Sequence, residues 1–97
     1  MRVFVSNKAR ADLNEIYDYI ALDSIFFATR TINQILQFIE QIGWFPNSGR
    51  ISTEYNDPSI RERFYLTYRI GYKVFEDRVE IATIRHMSRM IGKVGHE

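Results

Sequence analysis

The chain has 97 residues, 45% of them hydrophobic and 26% charged, with a formal net charge of +1. That length holds one hydrophobic core, so residues 1–97 are read as a single domain, and the composition is that of an ordered globular protein. With no cysteine and two histidines, His86 and His96, the chain is expected to have no disulfide, thiolate nucleophile, metal site or cofactor. No stretch approaches the roughly 20 apolar residues that span a bilayer, and the apolar run after Arg2 is too short for a signal peptide. A cytoplasmic protein without membrane contact is expected.

Charge is unevenly spread. Met1 to Gly49 carries four basic and five acidic residues, whereas Arg61 to Lys93 carries eight basic and four acidic. Such a local basic surface suits phosphate or an acidic protein partner. It is weaker than the field of a protein dedicated to nucleic acid.

Arg2 to Ser6 is β-branched and aromatic and reads as a short first strand, with Ser6 placed to cap a helix. From Asn7 to Ala21, Ala9, Leu13, Ile16, Tyr17 and Ile20 recur with helical spacing, and Lys8, Asp12, Glu15 and Asp18 take the other, solvated face. Asp23 or Ser24 caps a second helix, about Ile25 to Ile42, which closes a helical hairpin. Its stripe contains Ile25, Ala28, Ile32, Ile35, Leu36, Ile39 and Ile42; Phe26, Phe27 and Phe38 lie partly off it, a surplus of apolar surface that suits docking.

Gly43 is expected to end this helix, and Pro46-Asn47-Ser48-Gly49-Arg50 forms a turn in which proline pushes Phe45 into an extended conformation. Three strands follow after a loop through Pro58: about Arg61 to Thr67, Arg69 to Phe75 and Arg78 to His86. In the first, Phe64 and Leu66 are expected to face inward and Arg63 and Tyr65 outward. In the second, Ile70, Tyr72 and Val74 face inward. The third loses its alternation, as a strand covered on both faces would. The tail after Met90 reads as loose. The order β-α-α-β-β-β gives an α+β two-layer domain: an N-terminal strand, a helical hairpin and a three-stranded antiparallel meander.

The residues resemble the ParE/RelE superfamily of bacterial toxins, the ParE branch in particular. The resemblance covers nearly the whole chain. It rests on Ala9, Asp12-Leu13 and Ile16-Tyr17-Asp18-Tyr19-Ile20 in the first helix and Ala28 in the second. Downstream it takes in Pro46-Asn47-Ser48-Gly49-Arg50, Ile60-Arg61, Tyr68-Arg69-Ile70-Gly71-Tyr72, and Ile84-Arg85-His86 with Arg89. It implies the toxin of a type II toxin–antitoxin system, held in a hetero-oligomer by a cognate antitoxin. ParE-like members poison DNA gyrase; RelE-like members cleave messenger RNA on the ribosome. Fold alone does not separate them.

Metal-independent RNA cleavage needs a base, an acid and cations around the phosphorane. The candidates are His86, Glu54, Arg61, Arg69 and Arg85. The residues after His86 lack the tyrosine common in RelE-like nucleases, which favours binding over catalysis. On that reading Arg50, Arg61, Arg63, Tyr65, Arg69, Arg85, His86 and Arg89 form a target-binding face, since arginine and tyrosine are common interface anchors. Phe26, Phe27, Phe38, Trp44 and Phe45 form the antitoxin-binding surface, with the strand Arg61 to Thr67 as an edge open to strand addition. An inactive relative that only binds antitoxin is the third reading. Residue by residue, Tyr68 and Tyr72 are expected to pack the sheet, and Arg69 to pair with Glu62 or Glu80.

Overall fold

The computed structural model describes residues 1–87. Strand β1 (Arg2–Val5) leads into helix α1 (Asn7–Ala21) and helix α2 (Ile25–Trp44). A 3-10 turn (Pro46–Ser48) and a short strand β2 (Arg50–Ile51) precede β3 (Ile60–Tyr65), β4 (Tyr68–Val74) and β5 (Arg78–His86). One five-stranded sheet runs in the order β1-β5-β4-β3-β2, with β1 parallel to β5 and the other pairs antiparallel. The fold is α+β, with the helical hairpin laid on one face of the sheet.

Both helices begin where a serine supplies the missing acceptor. Ser6 Oγ accepts from Ala9 N–H and Ser24 Oγ from Phe27 N–H, satisfying donors that have no partner within the helix. Ala9, Leu13 and Ile16 of α1 and Ile35, Phe38, Ile39 and Ile42 of α2 are buried against Ile70, Tyr72, Val79, Ile81 and Ile84. Gly43 does not end α2 but lies inside it, at a close approach to β1. A Cβ there would fall 2.4 Å from Val3 Cγ2 and 2.6 Å from Met1 O, and the N-terminal ammonium donates to Gly43 O at 2.7 Å.

Asp12 departs from the solvated face expected of it. Its residue is 7% exposed, and Oδ2 accepts from Ile84 N–H at 2.9 Å while Oδ1 pairs with Lys8. The reason lies in the sheet. β1 stops opposite Ile81, so the backbone of β5 beyond that point has lost its neighbour and needs other partners. Ser6 N–H donates to Ile81 O, Ser6 Oγ to Ala82 O, and Asp12 takes Ile84 N–H.

The lost alternation of β5 has the same location and a different cause from double coverage. Gly71 pairs with Thr83 but Tyr72 with Ile81, which leaves Ala82 as an extra residue. This bulge shifts the phase of the strand, so that Val79, Ile81 and Ile84 all face inward while Ala82 is exposed.

In β3 the expected alternation is inverted. Arg61, Arg63 and Tyr65 stand opposite Tyr72, Ile70 and Tyr68, and residues paired across strands share a face; these three therefore lie on the helix side. Tyr65 stacks on Phe38 at 4.7 Å between ring centroids. Leu66 sits in the turn after β3 with φ 55° and is exposed, as is Phe64. Nor is β3 the sheet edge along its first half, because β2 pairs with Arg61 and Glu62.

Candidate functional site

The sheet divides the eight residues expected to form one face. Arg50 pairs with Glu62, Phe64 with Arg69 and Arg69 with Arg85. These residues share the open face, away from the helices. Arg61, Arg63, Tyr65 and His86 lie on the helix side. Arg89 and most of the tail from Met87 onward lie outside the described residues.

On the helix side the arginines build structure. Arg61 Nη1 donates to Gly49 O at 2.7 Å and to Asn47 O at 3.3 Å. Arg63 lies 4.6 Å from the centroid of Phe38 and donates to Ser48 Oγ, so its guanidinium covers a core ring of α2 and ties it to the 3-10 turn. The fully buried Tyr72 completes the anchorage: its hydroxyl donates to Pro46 O at 2.8 Å and accepts from Gly49 N–H at 2.9 Å. Gly49 is required there because a Cβ would sit 2.4 Å from that hydroxyl. His86 stands opposite Tyr68, their rings edge to face at 5.3 Å.

The open face carries an ion-pair network centred on Glu62, which is 4% exposed. Oε1 takes Arg50 Nε at 2.6 Å and Oε2 takes Arg69 Nε at 2.7 Å. Glu54, in the loop between β2 and β3, pairs with Arg69 Nη2 as well. Burial pushes the Glu62 carboxyl up, but the hydrogen bonds and charges of Arg69 and Arg50 together outweigh it and hold the group below its ordinary value of 4.5. Burial likewise works against the charge of Arg69, and Glu62 and then Glu54 reverse that, raising its pKa. Arg50 also lies 5.2 Å from the ring of Phe64.

Arg85 is exposed and makes no ion pair or side-chain hydrogen bond among the described residues. It borders a pocket of about 100 Å³ whose lining includes Ser52, Glu54, Glu62, Arg69 and Thr83. The sequence pointed to Arg69 and Arg85 but not to Glu62 as the hub, since a lone glutamate between two arginines reads as an ordinary surface charge. Its burial comes from cross-strand packing.

The five residues expected to bind antitoxin also separate. Phe26 and Phe27 are exposed at the start of α2, where Leu22 and Ile25 are exposed beside them in sequence. Trp44 and Phe45 are exposed at its far end, about 27 Å away at 1.5 Å per residue. Phe38 is 9% exposed, lies under Arg63 and Tyr65, and belongs to the core. A groove missed in the sequence runs beside the edge strand β1, lined by Val3, Val5, Leu36, Ile39 and polar residues of α2. No helix among the described residues is long and apolar enough to cross a membrane.

The chain matches the family of the ParE toxin of type II toxin-antitoxin system, parDE, over residues 3–91. Among solved structures, a chain of the chromosomal ParDE TA system from P. aeruginosa superposes with a TM-score of 0.74 at 23% identity, over 89% of this chain and 95% of that one. At that identity the likeness is one of fold. Comparison with curated proteins gives no match. The family match takes in both helices and reaches every strand among the described residues, so the chain belongs to the ParE toxin family of type II toxin–antitoxin systems.

Proposed function

We propose that this toxin acts in the cytoplasm as a single domain by binding DNA gyrase through the open face of its sheet, and that a cognate antitoxin neutralises it. The observation that carries this reading is the division of charges by the sheet. Arg50, Arg69 and Arg85 share the open face with Glu54 and Glu62, while His86, the expected acid or base, lies on the other side. General acid–base chemistry needs its groups within hydrogen-bond reach of one phosphate. With the histidine on the other side, Glu54 is the one expected catalytic partner left beside the arginines, and it is engaged with Arg69; guanidiniums so placed offer multi-donor contacts for binding instead.

For the antitoxin, two surfaces fit the usual modes of recognition. The apolar tip around Phe26 and Phe27 offers a helix its anchors, and edge strand β1 with its flanking groove offers strand addition. The test is direct. Purified toxin is expected to inhibit supercoiling by gyrase and to leave ribosome-bound message intact. Cleavage of that message with supercoiling unaffected overturns the reading in favour of the nuclease.

A further inference from the structure

Arg69 and Arg85 stand directly opposite each other on β4 and β5, and like charges so placed repel. Among the described residues only Arg69 is compensated. Its partners differ in kind: Glu62 is 4% exposed and fixed between two arginines, whereas the Glu54 side chain is 56% exposed and comes from a loop. Glu54 is therefore the dispensable carboxylate of the network. Beside it, the floor of the pocket is left open at Gly71, where a Cβ would meet Thr83 Oγ1 at 2.9 Å. Thr83 and Arg85, the latter without an ion pair among the described residues, are part of the same lining.

We propose that Arg69, Arg85 and Thr83 form a receptor for one carboxylate from an acidic segment of a protein partner, and that Glu54 holds its place until that segment docks. The pocket, at about 100 Å³, is well below the roughly 300–1,000 Å³ of sites that enclose whole small molecules, so it takes a single side-chain group. Glu54 already demonstrates the fit of a carboxylate on Arg69 Nη2. A phosphate dianion would meet Glu54 and Glu62 at the rim with one more negative charge. Displacing Glu54 leaves two guanidiniums and a hydroxyl for the incoming group, and Arg85 gains a partner that it does not have among the described residues.

This inference rests on reading the open face as the target-binding face, and it is tested without the target. The full-length isotopically labelled toxin is titrated, at low and matched ionic strength, with hexaglutamate, inorganic phosphate or hexathymidylate, and amide shifts are followed. Hexaglutamate is expected to move Gly71, Thr83 and Arg85. Glu54→Gln is expected to bind it about fivefold more tightly, the worth of one exposed ion pair, a gain that misfolding does not produce. Arg85→Gln is expected to weaken it several-fold. Unchanged affinity in Glu54→Gln, shifts confined to other surfaces, or equal binding of phosphate or hexathymidylate overturns the receptor. Retained gyrase inhibition in a toxin that ignores hexaglutamate also overturns the receptor alone. Localised hexaglutamate binding in a toxin without effect on gyrase supports the receptor and overturns the gyrase reading.

Discussion

Glu62 shows how one side chain ties local chemistry to the stability of the sheet. A buried carboxylate survives only with partners, and Glu62 has Arg69 from β4 and Arg50 from β2. Because its folded pKa lies below the ordinary 4.5, its ionised form favours the folded state. That contribution is complete above the ordinary value and is lost as pH falls through the depressed one. Glu62→Gln is expected to cost about 1–3 kcal/mol near neutral pH, less than a fully buried pair because Arg50 is exposed. Urea unfolding at several pH values provides the check. The gap between wild type and variant should narrow as pH drops below about 4, and a gap that stays constant would show that the ion pairs contribute nothing.

At the scale of elements, Asp12 joins α1 to β5 where β1 has ended. Asp12→Ala is expected to leave Ile84 N–H buried without an acceptor and to cost about 1–3 kcal/mol. Chemical denaturation measures the loss, and faster exchange of the Ile84 amide places it. The helices were legible in the sequence because helical periodicity and serine caps are local signals, and Asn7–Ala21 is found as expected. Tyr68 and Tyr72 pack the sheet, and Arg69 pairs with Glu62, as their positions suggested. The face of β3 was not legible. Phe64 and Leu66 look like core residues, but the turn at Leu66 and Thr67 sets Tyr65 opposite Tyr68, and a shift of one residue reverses every side chain in a strand. Asp12 was missed for a related reason: the bond it makes spans 72 residues and depends on where another strand stops. The arginines were found as a group, while their division between two faces followed from register.

For the whole molecule, the consequence is a separation of surfaces. The cationic network occupies the open sheet face, and the hairpin tip projects from the layer packed on the opposite face. Substitutions on one should therefore leave the other intact. Phe26→Ser with Phe27→Ser alters residues 68% and 56% exposed, so the fold should lose little, since exposed substitutions away from special features typically change stability by about 0.5 kcal/mol or less. Under the proposed function this variant is expected to arrest growth even when the antitoxin is co-expressed, because two buried aromatic anchors at an interface are together worth several kcal/mol, a loss of about a hundredfold or more in affinity. Arg69→Gln with Arg85→Gln is expected to do the reverse, abolishing arrest while the antitoxin still co-purifies. Growth after induction and pull-down of the co-expressed antitoxin read the two properties separately. If the phenylalanine variant is still neutralised and the arginine variant loses antitoxin along with toxicity, one surface serves both partners, and inhibition works by direct occlusion of the open face.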